Sequence, residues 1–271
     1  MNKTAAKQIV ESVSRKVMCS LSSIFYSSET AVHRMVRDCR TCEFRSKCLY
    51  ASPVGASGKS NLESIIRAFG TANFDYLIFV YDDTRFDEPI FESCRFIREP
   101  GLRWNFHKRY VTPEVCRDYD YVFLWADDLV LETFRVDEFL DIMRRNHLEV
   151  AQPALSEKSC TSHRITLADP SQRVGRYTDF VEIMVPVFAR DAWEKFWRML
   201  DADRNPWGWG YDALARSICG YKFMGIVDSQ RVTHARPAGS GSDKAWRDYQ
   251  AFIARHPKRR MCRQISYLPL R

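Results

Sequence analysis

The run from Tyr119 to Trp125, aromatic and branched apart from Asp120, stops abruptly at two adjacent carboxylates, Asp127 and Asp128. A short continuous apolar run with polar ends suits a strand buried on both faces, as in a parallel sheet. Acids at the carboxyl end of such a strand lie where open α/β sheets bind ligands. Two neighbouring carboxylates are costly unless a cation joins them, and a hard divalent ion carrying a phosphorylated substrate is one solution. On pairing alone, a solvated turn fits as well.

Other elements follow in order. Residues 5–18 carry Ile9, Val10, Val13 and Val17 at helical spacing. His33, Cys39, Cys42 and Cys48 could form a zinc knuckle, although the second half lacks the usual paired spacing. Pro53 to Ser60 looks like a phosphate loop, but Pro53 stands where that motif needs Gly. It reads better as a βα loop in which Ser60 and Glu63 form a capping box. Leu62, Ile65, Ile66 and Phe69 then line one helix face, and Lys59 at the mouth is placed to meet a diphosphate.

Strands are expected at 74–80 and 94–97, and a helix carrying Lys108 and Arg109 starts at Trp104. A helix follows Pro113, another carries Val136, Phe139, Leu140 and Met143, and 150–155 is a short strand. Phe180 to Phe188 reads as a strand interrupted by Glu182, a carboxylate expensive to bury unless paired or facing a site. A helix opened by Asp191 buries Trp193, Phe196, Trp197 and Leu200. In Asn205-Pro-Trp-Gly-Trp-Gly-Tyr-Asp212 the glycines allow a tight path that sets Trp207 and Trp209 at a surface. Asp212 falls in the first turn of a helix over 211–219 that Gly220 closes, where the dipole favours its anion. The last strand is 223–227, and His234 follows it, placed to complete an oxygen/nitrogen metal site. Alternating strands and helices give an α/β fold with a mainly parallel sheet flanked by helices. Its divisions are an extension at 1–46, a catalytic domain at 47–242 and a basic tail at 243–271.

These motifs together resemble the largely plant family called domain of unknown function 707, regarded as glycosyltransferase-like. The resemblance rests on Trp104-x-Phe-x-Lys-Arg109, Tyr119-x-Tyr-Val-Phe-Leu-Trp125 with Asp128-Leu129, Gln152-Pro-Ala-Leu155 and His163-x-Ile-Thr166. Phe180-Val-Glu-x-Met184, Pro186-Val-Phe188, Trp209-Gly-x-Asp212 and Val227-Asp228 ahead of His234 complete it. Trp207-Gly-Trp-Gly-Tyr-Asp212 is also similar to the acceptor motif of galactosyltransferases with the GT-A fold. The resemblance implies a GT-A (Rossmann-like) nucleotide-diphospho-sugar transferase. Its cofactor is Mn²⁺ or Mg²⁺ held by Asp127, Asp128 and His234, and its donor a UDP- or GDP-sugar. Lys59, Lys108, Arg109 and Asp127 fall to the nucleotide, Asp212 or Glu182 to the catalytic base, and Trp207 and Trp209 to a carbohydrate acceptor. The family usually has an acid at position 126 where this chain has Ala, which bears on the grip on the ribose.

Two rivals stand beside this reading. One is a sugar-binding or scaffold protein on the same fold, impaired by Ala126. The other is a basic zinc or nucleic-acid-binding protein, which leaves the four acids without a purpose. The net charge of +7 is partly gathered in Arg255, Lys258, Arg259, Arg260, Arg263 and Arg271, a tail suited to a membrane surface or to solvent. No apolar run has the length of a transmembrane span and no signal peptide is evident, so the default compartment is cytoplasmic. The family pattern instead points to the Golgi lumen.

Overall fold

The computed structural model describes residues 46–161, 163–236, 243–256 and 266–269. Its strands are β1 (Cys48–Pro53), β2 (Phe74–Val80), β3 (Cys94–Arg98), β4 (Tyr121–Phe123), β5 (Leu129–Leu131), β6 (Val150–Leu155), β7 (Arg176–Thr178), β8 (Val187–Ala189), β9 (Met224–His234) and β10 (Ser266–Pro269). The helices are α1 (Lys59–Phe69), α2 (Arg103–Tyr110), α3 (Val136–Arg145), α4 (Arg190–Met199), α5 (Tyr211–Cys219) and α6 (Asp243–Ala254).

The strands form one sheet in the order β10-β7-β9-β6-β8-β4-β1-β2-β3, with β5 pairing on β9. The expected parallel arrangement holds from β4 through β1 and β2 to β3. Beyond β4 the sheet is mixed, because β8 runs antiparallel to both β4 and β6. Val122 to Trp125 are fully buried, as a strand covered on both faces requires. Their carboxyl end delivers Asp127 and Asp128 to the carboxyl end of the parallel strands β1, β2 and β4.

The helix α1 forms because Leu62, Ile65, Ile66 and Phe69 recur at helical spacing, and all four are buried. Phe69 meets Phe74, Phe123 and Trp125 at centroid distances of 5.0–5.7 Å. Each such aromatic removed from water contributes roughly 2–3 kcal/mol before entropy. The expected capping box is not made: the helix begins at Lys59 behind Gly58, so Ser60 and Glu63 already lie inside it. Glu63 instead pairs with Arg67.

Other expectations shift for physical reasons. The stretch after Pro113 forms a 3-10 turn, Val115–Asp118. Phe180 to Phe188 is not one strand. Pairing begins at Val187, and the residues before it turn out of the ladder, where the Glu182 N–H donates to Gln152 Oε1 at 2.7 Å. The last of the interior strands is longer than expected, since β9 runs unbroken to His234. It pairs parallel with β6 and antiparallel with β5 and β7. A charged group on this strand, Asp228, is tolerated because Arg176 lies 3.4 Å away and the Asp169 N–H donates to it at 2.8 Å.

Residues 45–271 form one compact unit that includes α6 and β10. On α6, Ala245 and Phe252 are buried and Phe252 meets Tyr211 edge-on at 5.0 Å; just past the helix, Arg255 pairs with Asp201 at 2.8 Å. Among the described residues no helix is long and apolar enough to cross a membrane. The expected helix at 5–18 and His33, Cys39 and Cys42 lie outside the described residues. Cys48 is a buried residue of β1 whose thiol burial pushes up.

Candidate active site

One cavity of about 1190 Å³ gathers Asp127, Asp128, Glu182, Trp207, Trp209, Asp212 and His234. Residues from four separate stretches of sequence therefore meet at the carboxyl end of β4, as the sheet's layout demands.

The turn after β4 holds the acid pair. Tyr81 donates its hydroxyl to Asp127 Oδ2 at 3.0 Å, Asn61 Nδ2 donates to the Asp127 carbonyl at 2.9 Å, and Arg236 reaches Asp127 Oδ1 at 2.7 Å. The glycine-bearing loop after β1 closes on the same residue. A Cβ at Gly58 would stand 2.5 Å from Asp127, so glycine is needed there for close approach to a carboxylate rather than to wrap a phosphate. The backbone of Ala126 donates to the Met184 carbonyl at 2.9 Å.

Asp128 faces His234 across the β5–β9 ladder, with Oδ2 and Nε2 3.1 Å apart. The His234 Nδ1 contacts the Cys160 carbonyl, which turns Nε2 toward the acid. Burial alone would depress the imidazolium, but Asp128 and the Cys160 carbonyl outweigh it and raise the His234 pKa. Burial pulls Asp128 the opposite way, and His234 and Arg236 together hold its carboxyl below the usual range.

Among the described residues no group of three or more His, Cys, Asp and Glu side chains forms a ready metal cluster. The pair nevertheless fits a hard divalent ion in part. The carboxylate oxygen suits Mg²⁺ or Mn²⁺, the imidazole nitrogen shifts the preference toward transition metals, and 3.1 Å matches the roughly 3 Å between adjacent ligands of an octahedral ion with bonds near 2.1 Å. Asp128 Oδ1 is buried with no protein partner. Asp127 is turned toward Tyr81 and Arg236, so Asp128 and His234 are the donors that remain.

Glu182 and Asp212 form the second acidic group. Burial pushes Asp212 up to about 6, even though the Ala213 N–H donates to it at 2.8 Å at the start of α5. Burial, and then the charge of Asp212, push Glu182 up to about 7, and its Oε2 has no protein partner. Two carboxyls whose environments raise them toward neutrality are suited to proton transfer.

The three cations expected at a diphosphate are engaged elsewhere. Lys59 pairs with Glu88 at 2.7 Å, Lys108 donates to the Trp197 carbonyl at 2.8 Å, and Arg109 pairs with Glu99 at 2.9 Å. None of them lines the cavity. The cations beside the acid pair are Arg103, which lines the cavity, and Arg236, which pairs with Asp127 and Asp128. Arg103 is half-buried, donates to the Leu124 and Met184 carbonyls and borders the cavity. Burial pushes it down to about 10, partly offset by Asp128, so it stays charged at neutral pH. Its signal in the sequence was adjacency to the Trp104 motif. Arg236 lies two residues past His234.

An α/β sheet with a glycine-bearing first βα loop and an acid pair at the end of its central strand defines a GT-A glycosyltransferase fold, and solved structures agree. A structure described as GalNAc-T7 with UDP, GalNAc and Mn²⁺ superposes with a TM-score of 0.58 at 10% identity, covering 78% of this chain and 48% of that one. S. aureus TarS 1–349 in complex with UDP-GlcNAc gives 0.51 at 9% identity, covering 77% of this chain and 66% of that one. The chain thus spans about half the length of the first neighbour. The chain belongs to the family described as protein of unknown function (DUF707), whose model matches residues 14–266. No curated protein matches the sequence.

Proposed function

We propose that the protein is a metal-dependent glycosyltransferase that moves a sugar from a UDP- or GDP-sugar to an acceptor hydroxyl with inversion. The observation that carries this reading is the Asp128–His234 pair, 3.1 Å apart, opening on the same cavity as the raised carboxyls of Glu182 and Asp212. Both neighbours were solved with a uridine nucleotide, and one with Mn²⁺.

Asp128 and His234 would hold Mn²⁺ or Mg²⁺, with Asp127 beside them. The bound ion would neutralise charge on the departing nucleoside diphosphate. Arg103 lends a fixed positive charge beside the acids, and Arg236 is free to exchange its carboxylate partners for phosphate oxygens. Ionised Asp212 takes the proton of the acceptor hydroxyl as that oxygen attacks the anomeric carbon from the face opposite the leaving group. Glu182 is the second candidate base, or a hydrogen-bond partner of the acceptor. Trp207 and Trp209 offer apolar faces to the acceptor sugar.

Calorimetric titration of UDP and GDP, with and without Mn²⁺, tests this directly. Mn²⁺-dependent binding of one nucleotide is expected, weakened 10–100-fold or more in Asp128→Ala. A second reading, a sugar-binding protein with an impaired nucleotide site, is favoured by Ala126 and by the ion pairs that Arg236 makes with both acids. Absence of nucleotide binding under every metal condition, together with binding of a saccharide, would favour it.

A further inference from the structure

Trp246 is 52% exposed, the most exposed large hydrophobic side chain among the described residues. It lies on α6, beyond the segment expected to be catalytic, yet it lines the central cavity together with Tyr249. Its exposure does not come from a loosely held helix, because Ala245 and Phe252 are buried on the same element. Trp246 and Tyr249 are one helical turn apart, with centroids 5.2 Å apart and rings inclined at 31°. Tyr249 also packs on the turn before the base: a Cβ at Gly210 would stand 2.9 Å from its ring.

The cavity lining therefore combines the polar residues Asp127, Asp128, Glu182 and His234 with the aromatic residues Trp207, Trp209, Trp246 and Tyr249, and Tyr249 lies against Gly210, next to Trp209. The Trp207 indole N–H is buried with no protein acceptor. Aromatic faces next to unsatisfied polar groups suit a pyranose, which has an apolar C–H face and a rim of hydroxyls.

We propose that α6 builds an additional acceptor subsite, in which Trp246 and Tyr249 stack a sugar next to the one held at Trp207 and Trp209, so that the acceptor is an oligosaccharide rather than a monosaccharide. This rests on the transferase reading for the meaning of "acceptor", but the binding itself does not.

The test is saturation-transfer NMR on the full chain. The probes are gluco-, galacto- and xylo-oligosaccharides of about two to five residues and the matching monosaccharides, with and without UDP and Mn²⁺. At least one oligosaccharide is expected to bind about tenfold or more tightly than its monosaccharide. Trp246→Ala removes that advantage and Trp246→Phe largely keeps it, with melting temperature and UDP affinity unchanged. Binding that is equal for all lengths, unaffected by Trp246→Ala, or absent for every saccharide overturns the proposal. Loss of the length advantage in Trp246→Ala in a protein that binds no nucleotide would leave the subsite standing and remove the transferase reading.

Discussion

Asp212→Asn is expected to lower kcat by about 10²–10⁴-fold, with nucleotide affinity little changed, because under the proposed mechanism it removes the general base while keeping the shape of the side chain. The same variant should be more stable than the wild type above pH 7. Burial raises Asp212 from 3.8 to about 6, so the folded state binds this proton more tightly than the unfolded chain does. Its contribution to stability is complete below about pH 4 and is lost as pH rises through about 6. Holding the anion at pH 8 thus costs on the order of 3 kcal/mol, at 1.36 kcal/mol per pKa unit. The amide avoids that cost. Denaturation of both proteins at pH 4 and pH 8 should show the variant's advantage at the higher pH. In the wild type the rate should climb with pH through about 6 as Asp212 ionises. A variant with wild-type kcat would pass the base role to Glu182.

Gly208→Ala should destabilise the fold by about 2–4 kcal/mol, summing backbone strain and overpacking. Gly208 has φ +79°, and an added Cβ would lie 2.1 Å from Trp104 Nε1. Trp104 cannot yield easily. It is buried, with His107, Phe196 and Tyr211 at 5.1–5.6 Å. Gly220→Ala is an internal comparison, since Gly220 has left-handed φ +71° and ψ 28° with nothing within 4 Å of the added carbon. It carries the strain alone, about 1 kcal/mol. Urea midpoints that fall equally for both variants would show that the Trp104 contact contributes nothing.

Local signals carried much of this architecture. The face Leu62–Ile65–Ile66–Phe69 specified α1, and Gly220, at φ +71°, closes α5 where its position after an apolar helix placed it. The acid pair was legible because an uninterrupted apolar run ends just before it. Less was legible wherever a tertiary partner decides the outcome. The segment around Glu182 leaves the sheet, with its N–H donated to the Gln152 side chain, although its residues have strand character. Lys108 and Arg109 share a helix with Trp104, but the neighbouring Trp197 carbonyl and Glu99 draw their charges away from the cavity. No sequence spacing distinguishes them from Arg103, five residues earlier than Lys108, which burial places beside the acids. The aromatic pair on α6 was hidden by a basic segment that reads as a tail.

The β5–β9 ladder makes Asp128 and His234 a single mechanical unit. Leu129 sits opposite His234, and the Ala235 N–H donates to the Asp128 carbonyl at 3.0 Å. Peptide bonding, rather than the fit of surrounding side chains, thus sets the spacing of the two donors. Core substitutions elsewhere can lower the melting temperature while leaving that spacing alone. The two donors also separate together when the ladder opens, so the exchange rate of the Ala235 amide hydrogen is a clock for the lifetime of the assembled pair.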